Sequence, residues 1–315
     1  MANLFLRLVV ILPMNNYKIG IDLGGTKLLG ILTDGGSNIL KKKKTKIPKN
    51  ITLDKIIDEI VNLYIDISHD LEIERLGMAV PSPVQFQTGI GSFLPAYGWK
   101  NVPFKQLICA KIGVKVNVDN DVNLATLAEY KLGAGKGVKS IYTFYPGTGI
   151  GGGYINNGQL IRGYNGTAGE IGHMVIDING AKCKCGQRGC LETIVSNTGF
   201  RRLLGESKNS SMLHNVDNIT SENIVEAWYS RDITVQNILR YQAEVLGIAI
   251  ANVINITGVE RILVGGEIYH LLKDELLPIV EVTAIKDAIG DGMQNVEILL
   301  NQLGSEAPAL GATLL

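Results

Sequence analysis

The sequence predicts an α/β protein of two similar halves packed face to face around a cleft. Three observations carry this. Each half opens on apolar, strand-like runs joined by glycine turns and continues into strand–helix units, a repeat of architecture and not of letters. Glycine supplies 37 of the 315 residues and hydrophobic residues 46%, a composition that is loop-rich yet able to fill a core. No low-complexity linker divides the halves, and the length accommodates two domains with a core each.

The elements follow in order. Residues 1–13, MANLFLRLVVILP, resemble a short signal core. Arg7 interrupts it, no small-residue cleavage site follows, and it is too short to span a bilayer. Residues 1–16 therefore read as an N-terminal extension and not as a membrane anchor. Strands are expected at 17–23, 27–34 and 38–48, an antiparallel meander closed by glycine-bearing turns. Lys41–Lys44 on the third run suits the solvated face of an edge strand, where lysines block unwanted pairing. A helix is expected over 52–69, a buried strand at 75–80, a helix at 103–112, a strand at 114–119 and a helix at 122–132. The second half restarts with strand–glycine turn–strand over 140–163. Helices follow at 191–205, 221–230 and 234–256, then a strand at 261–266, a further helix, and a small-residue helix in the terminal APALGATLL.

Composition removes several classes of function. Lys+Arg and Asp+Glu are both 30, so no global field recruits nucleic acid or an anionic membrane. Three of the four cysteines sit together and only Cys109 stands apart, which favours a reducing, cytoplasmic setting over a disulfide framework.

That cysteine cluster lies in GEIGHMVIDINGAKCKCGQRGCLE, residues 169–192. His173, Cys183, Cys185 and Cys190 offer the soft sulfur and nitrogen donors that Zn²⁺ takes. Four protein ligands close a tetrahedron and leave no position for an activated water, so a structural Zn²⁺ is expected. Glu170, His173 and Glu192 bring polar groups at the density that a many-hydroxyl sugar requires, with the second His173 nitrogen left to donate.

Two glycine loops suit phosphate. In Asp22-Leu-Gly-Gly-Thr-Lys27, Gly24 and Gly25 expose backbone N–H groups, Thr26 adds a hydroxyl, and Asp22 could hold Mg²⁺. An ordinary hairpin turn explains the same letters. Gly147-Thr148-Gly149, within GTGIGGG, matches G-x-G-x-x-G, but a strand-like segment follows where a dinucleotide fold needs a helix. Two such loops, one in each half, point to a nucleotide's phosphate tail held between them. Asn120-Asp121 ends a strand and opens a helix. There Asp121 is either an N-cap or a general base facing the cleft. Gly265-Gly266 is either a packing pair or a close approach to an adenosine.

These motifs together, DLGGTK, PSPV (81–84), GWKNVPF (98–104), DNDVNLATLAE (119–129), GTGIGGG and GEIGH with CKCGQRGCLE, resemble the ROK family of sugar kinases and related repressors from residue 17 onward. The resemblance implies two ribonuclease-H-like (actin-like) domains with an interdomain cleft: residues 17–121 with about 300–315 in a small one, 122–299 in a large one carrying the zinc loop. It implies ATP, Mg²⁺ and transfer of phosphate to a hexose hydroxyl, most often the 6-OH of glucose, with N-acetylmannosamine kinase and fructokinase as sister activities. Carried onto this chain, Asp121 is the catalytic base and Asn120, Glu170, His173 and Glu192 hold the sugar. Asp22, Gly24, Gly25, Thr26, Lys27, Gly147, Thr148, Gly149, Gly265 and Gly266 face the nucleotide, and His173, Cys183, Cys185 and Cys190 hold zinc. A homodimer or homotetramer is implied too. Three positions depart from the pattern: Ala96 stands where an Asn commonly precedes Gly-Trp, Glu267 replaces a third glycine, and Ser82 replaces a glycine. The family's sugar-responsive repressors carry a winged helix-turn-helix. The about 16 residues before the first strand show no recognition-helix pattern, so an enzyme is the expectation.

Overall fold

The computed structural model describes residues 16–69, 71–290 and 295–315, so the reading of residues 1–13 lies outside the described residues. The first half is a five-stranded sheet in the order β3-β2-β1-β4-β8. Its strands are β1 (Lys18–Leu23), β2 (Lys27–Thr33), β3 (Ile39–Lys46), β4 (Arg75–Val80) and β8 (Lys115–Asn120). β1–β2–β3 run antiparallel, and β4 and β8 add in parallel. The second half repeats the arrangement as β11-β10-β9-β12-β13. Here β9 (Ile141–Pro146), β10 (Ile150–Asn156) and β11 (Gln159–Leu160) form the meander, and β12 (Arg261–Val264) and β13 (Glu297–Leu300) add in parallel. The repeat expected from the sequence is thus one of strand order and direction.

Helices cover both sheets. α1 (Leu53–Ser68) and α2 (Phe104–Ile112) pack on the first, their buried Ile56, Ile60 and Ile108 joining strand residues such as Ile21 and Val118 in one core. The second core is larger. It draws on α4 (Asn197–Glu206), α5 (Ser221–Tyr229), α6 (Ile233–Thr257), α7 (Glu267–Leu271) and α8 (Lys273–Asp287) against β9 and β12.

The halves are joined by exchanged helices. α3 (Asp121–Leu132) follows the last strand of the first sheet yet lies on β10 of the second. α9 (Ala307–Thr313) follows the last strand of the second sheet yet lies on β1 and β4 of the first, and the two helices pack on each other. Small residues permit this. A Cβ on Gly77 would lie 1.8 Å from the Ala312 carbonyl oxygen, and one on Gly20 would lie 2.0 Å from that of Ala309.

Several expectations need correction. The helix expected over 191–205 begins only at Asn197. Residues 191–193 form a separate 3₁₀ turn, and Ser196 caps α4 by accepting from the Gly199 N–H. The strand at 261–266 stops at Val264, because Gly266 adopts φ 92°. Residues 84–103 hold an unexpected three-stranded sheet of β5 (Val84–Gln85), β6 (Ile90–Leu94) and β7 (Trp99–Pro103), and β13 was likewise not foreseen. β3 is the sheet edge that the lysine run suggested, with Lys42 paired to Glu306 and Lys43 to Asp66. Among the described residues no helix is long and apolar enough to cross a membrane.

Candidate active site and zinc loop

The β8–α3 corner carries Asn120 and Asp121. Asn120, not Asp121, is the N-cap: its Oδ1 accepts from the Asn123 N–H at 2.9 Å. Its Nδ2 donates to Asp121 Oδ1 at 2.9 Å and to the Ser82 carbonyl at 3.3 Å. The Asn120 amide is therefore largely occupied in building the corner, and Ser82 supplies part of the frame. Asp121 Oδ1 also accepts from the Val122 N–H at 2.9 Å, while nothing among the described residues donates to Oδ2. The N-cap alternative for Asp121 is thereby excluded, and its second oxygen is left for the cleft.

Removal from water pushes the Asp121 carboxyl up to about 6, with the Glu170 charge adding to the effect and the Val122 N–H opposing it. Asp22, near the end of β1, is 9% exposed, and its carboxylate accepts no hydrogen bond among the described residues. Burial pushes it up to about 7, the Asp121 charge adds to this, and Lys27 opposes it. Asp22, Asp121 and Glu170 thus form one electrostatic row. An unpartnered carboxylate beside a second one fits a hard cation such as Mg²⁺.

The first glycine loop is short. The Gly24 N–H donates to the Lys27 carbonyl at 2.9 Å, leaving Gly25, Thr26 and Lys27 exposed. The Tyr97 hydroxyl donates to the Gly24 carbonyl at 2.6 Å, and its ring stacks on Trp99 at 4.4 Å. Burial, with the Asp22 charge, pushes that phenol up to about 12, so it remains a donor. Ala96 lies in the same loop, 3.5 Å from where a Gly25 Cβ would stand.

The second glycine loop is tied to α4. The Asn197 N–H donates to the Gly147 carbonyl and the Thr198 hydroxyl to the Thr148 carbonyl, each at 2.8 Å. A cavity of about 280 Å³ opens beside it, lined by Gly147, Thr148, Ser196, Gln242 and Glu267 among others. Gly265 packs on the Tyr145 ring and Gly266 on the Pro146 carbonyl, so the pair is closely packed and also adjoins this loop. Glu267 accepts from the Ser221 hydroxyl at 2.6 Å on the cavity wall.

The zinc loop folds back on itself. Val175 bridges Cys190, Lys182 bridges Arg188, and Gly189 at φ 71° lets the chain pass against the Asp177 carbonyl. The ligand atoms of His173, Cys183, Cys185 and Cys190 lie within 4.8 Å of one another. Cys183 Sγ is 3.8 Å from His173 Nδ1, and Cys185 Sγ is 3.7 Å from Cys190 Sγ. A tetrahedron with metal–sulfur bonds of about 2.3 Å has edges of about 3.8 Å, so these donors fit Zn²⁺. Two residues past Cys190, Glu192 Oε2 accepts from the Ile150 N–H at 3.2 Å. A Cβ on Gly149 would collide with that carboxylate at 2.2 Å. The loop therefore ends against the second glycine hairpin, while the Glu170 charge at its start acts on Asp121.

One contact was not foreseen. Asp119, 1% exposed, pairs with Arg162 at 2.7 Å across the two halves, and the guanidinium lies 3.9 Å from the centroid of Phe86. Burial raises the Asp119 carboxyl and Arg162 opposes this. Only adjacency to Asn120-Asp121 could have drawn notice to Asp119; nothing in the letters marks Arg162.

The ROK family model matches residues 18–315. The glucokinase of Halalkalibacterium halodurans is 32% identical over 316 aligned residues, covering 94% of each chain. The xylose repressor of Bacillus spizizenii is 31% identical, over 94% of this chain and 75% of the repressor. The structure of a ROK family glucokinase from Streptomyces griseus with glucose and AMPPNP superposes with a TM-score of 0.81 at 28% identity, covering 94% of this chain and 98% of that one. With two sheets of one topology, exchanged helices and these likenesses, the chain has the two-domain actin-like fold and belongs to the ROK family.

Proposed function

We propose that the protein is an ATP-dependent hexose kinase, with the glucose 6-OH as the favoured acceptor. The observation that carries this is Asp121: a carboxylate whose Oδ1 is fixed by two donors, whose Oδ2 meets no donor among the described residues, and whose charge acts on Asp22 beside the first glycine loop. In this reading Glu170, His173 and Glu192 orient the sugar, with Asn120 acting mainly as the frame of the corner. Asp121 Oδ2 accepts the hydroxyl proton as that oxygen attacks the γ-phosphorus and ADP departs. Gly24–Lys27 and Gly147–Gly149 hold the phosphates, and the cavity beside Gly265-Gly266 takes the adenosine. Bound at Asp22, Mg²⁺ would neutralise phosphoryl charge. Zn²⁺ on its four ligands supplies rigidity and no chemistry, consistent with its closed ligand set.

The glucokinase relatives of Halalkalibacterium halodurans and Streptomyces griseus support the enzyme reading. N-acetylmannosamine and fructose remain alternative acceptors, since exposed Ala96 contributes no polar group to the sugar side. The repressor relative gives the second reading, a sugar-responsive DNA-binding regulator. ADP release measured over glucose, mannose, fructose, allose and the N-acetyl hexosamines tests the first. Hexose-dependent release, greatest with glucose, is expected. Sugar binding without ADP release, together with a DNA mobility shift, would favour the regulator.

A further inference from the structure

We propose that Gln242 is the residue that reads the nucleobase, and that it selects adenine by accepting a hydrogen bond from the 6-amino group. The inference rests on the nucleotide reading above. Gln242 lies inside α6 and is 7% exposed, yet it lines the cavity of about 280 Å³ beside the second glycine loop. That volume is near the lower end of the about 300–1,000 Å³ usual for small-ligand sites. The cavity is lined by Gly147 and Thr148 of the glycine loop and by apolar Val195, Phe200, Ile224 and Leu276. A flat heteroaromatic ring joined to a phosphate tail fits this division.

The orientation of the Gln242 amide is fixed. Nε2 donates to the Ile194 carbonyl at 2.6 Å and to the Ser196 carbonyl at 3.2 Å. Both partners are carbonyl oxygens, which only accept, so the nitrogen must face them and both its hydrogens are committed. Oε1 then points the other way, and nothing among the described residues donates to it. A nearly buried acceptor that cannot flip is a selective group. It pairs with an exocyclic amine and meets a 6-oxo group as acceptor against acceptor, leaving both unpaired. Of the other polar groups lining the cavity, the Ser196 hydroxyl is engaged with Glu192 and Gly199 and the Ser221 hydroxyl with Glu267, while the Thr148 and Tyr269 hydroxyls and the Asn197 amide have no partner among the described residues.

ADP and IDP differ at the 6-substituent that Oε1 would meet, so calorimetric titration of each into the full chain tests the assignment without turnover. The wild-type chain should bind ADP at least about tenfold more tightly than IDP. Gln242→Met, which keeps length but offers no fixed acceptor, should bring the two affinities within about twofold, mainly by weakening ADP. Equal affinities in the wild-type chain overturn the assignment, a comparison that needs no variant to fold. So does an ADP preference that survives intact in Gln242→Met. Binding of neither nucleotide overturns the donor reading and this inference with it.

Discussion

At the scale of single residues, Asp121 carries the account, and its titration gives two linked predictions. A base must be ionised to accept a proton, so kcat/KM should rise with pH through about 6 and level off above it. Stability should move the other way. The folded carboxyl is pushed up to about 6 from the ordinary carboxylate range near 4, so the stability it permits is fully present below about 4 and is lost as pH rises through about 6. Asp121→Asn removes that loss. At pH 8 the variant should be more stable by about 1–2 kcal/mol in denaturant unfolding, converging on wild type near pH 4; solvent reaching the partly buried side chain keeps this below the full shift. The buried Asp119 behaves oppositely to perturbation. Arg162→Gln leaves it without its cation and should cost about 2–4 kcal/mol, read from the same unfolding curves. Asp121 was legible because an acid between a strand and a helix suggests a corner. The bonds of the Asn120 amide to Asn123, Asp121 and Ser82 have no signature in the letters, because they depend on how β8 meets α3 and the 81–84 turn.

At the scale of elements, we propose that the cysteine-rich loop couples the sugar side to the second glycine hairpin. His173 and Glu170 lie at its start, while Glu192 at its end accepts from the Ile150 N–H beside that hairpin. The isolated chain should carry one zinc by elemental analysis. Chelation or Cys190→Ser should lower the melting temperature and weaken sugar binding together, measured by calorimetry on the same samples. Sugar affinity unchanged after zinc loss would uncouple them. The glycine hairpins, the edge strand of lysines and the cysteine spacing were all readable, because each depends on local chemistry. The β5–β7 sheet was not, since its strands are short and joined by turns that read as loop. Nor was the start of α4, where Ser196 caps a helix against a turn that the zinc loop fixes. Contacts such as Tyr97 to Gly24, 73 residues apart, have no signature in the letters.

At the scale of the whole molecule, the repeat of strand order is the organising fact, and the exchange of α3 and α9 makes it one object. We propose that residues 17–121 with 300–315 move as one body and 122–299 as the other, closing over sugar and nucleotide. Asp121 stands at that boundary, where closure would set a hexose hydroxyl between its free oxygen and the γ-phosphate. The most direct test compares wild type and Asp121→Asn for glucose-dependent ADP release, with glucose affinity measured in parallel by calorimetry. Glucose binding within about threefold of wild type and a turnover reduced at least about 100-fold are expected. A variant that keeps wild-type kcat would contradict Asp121 as the base.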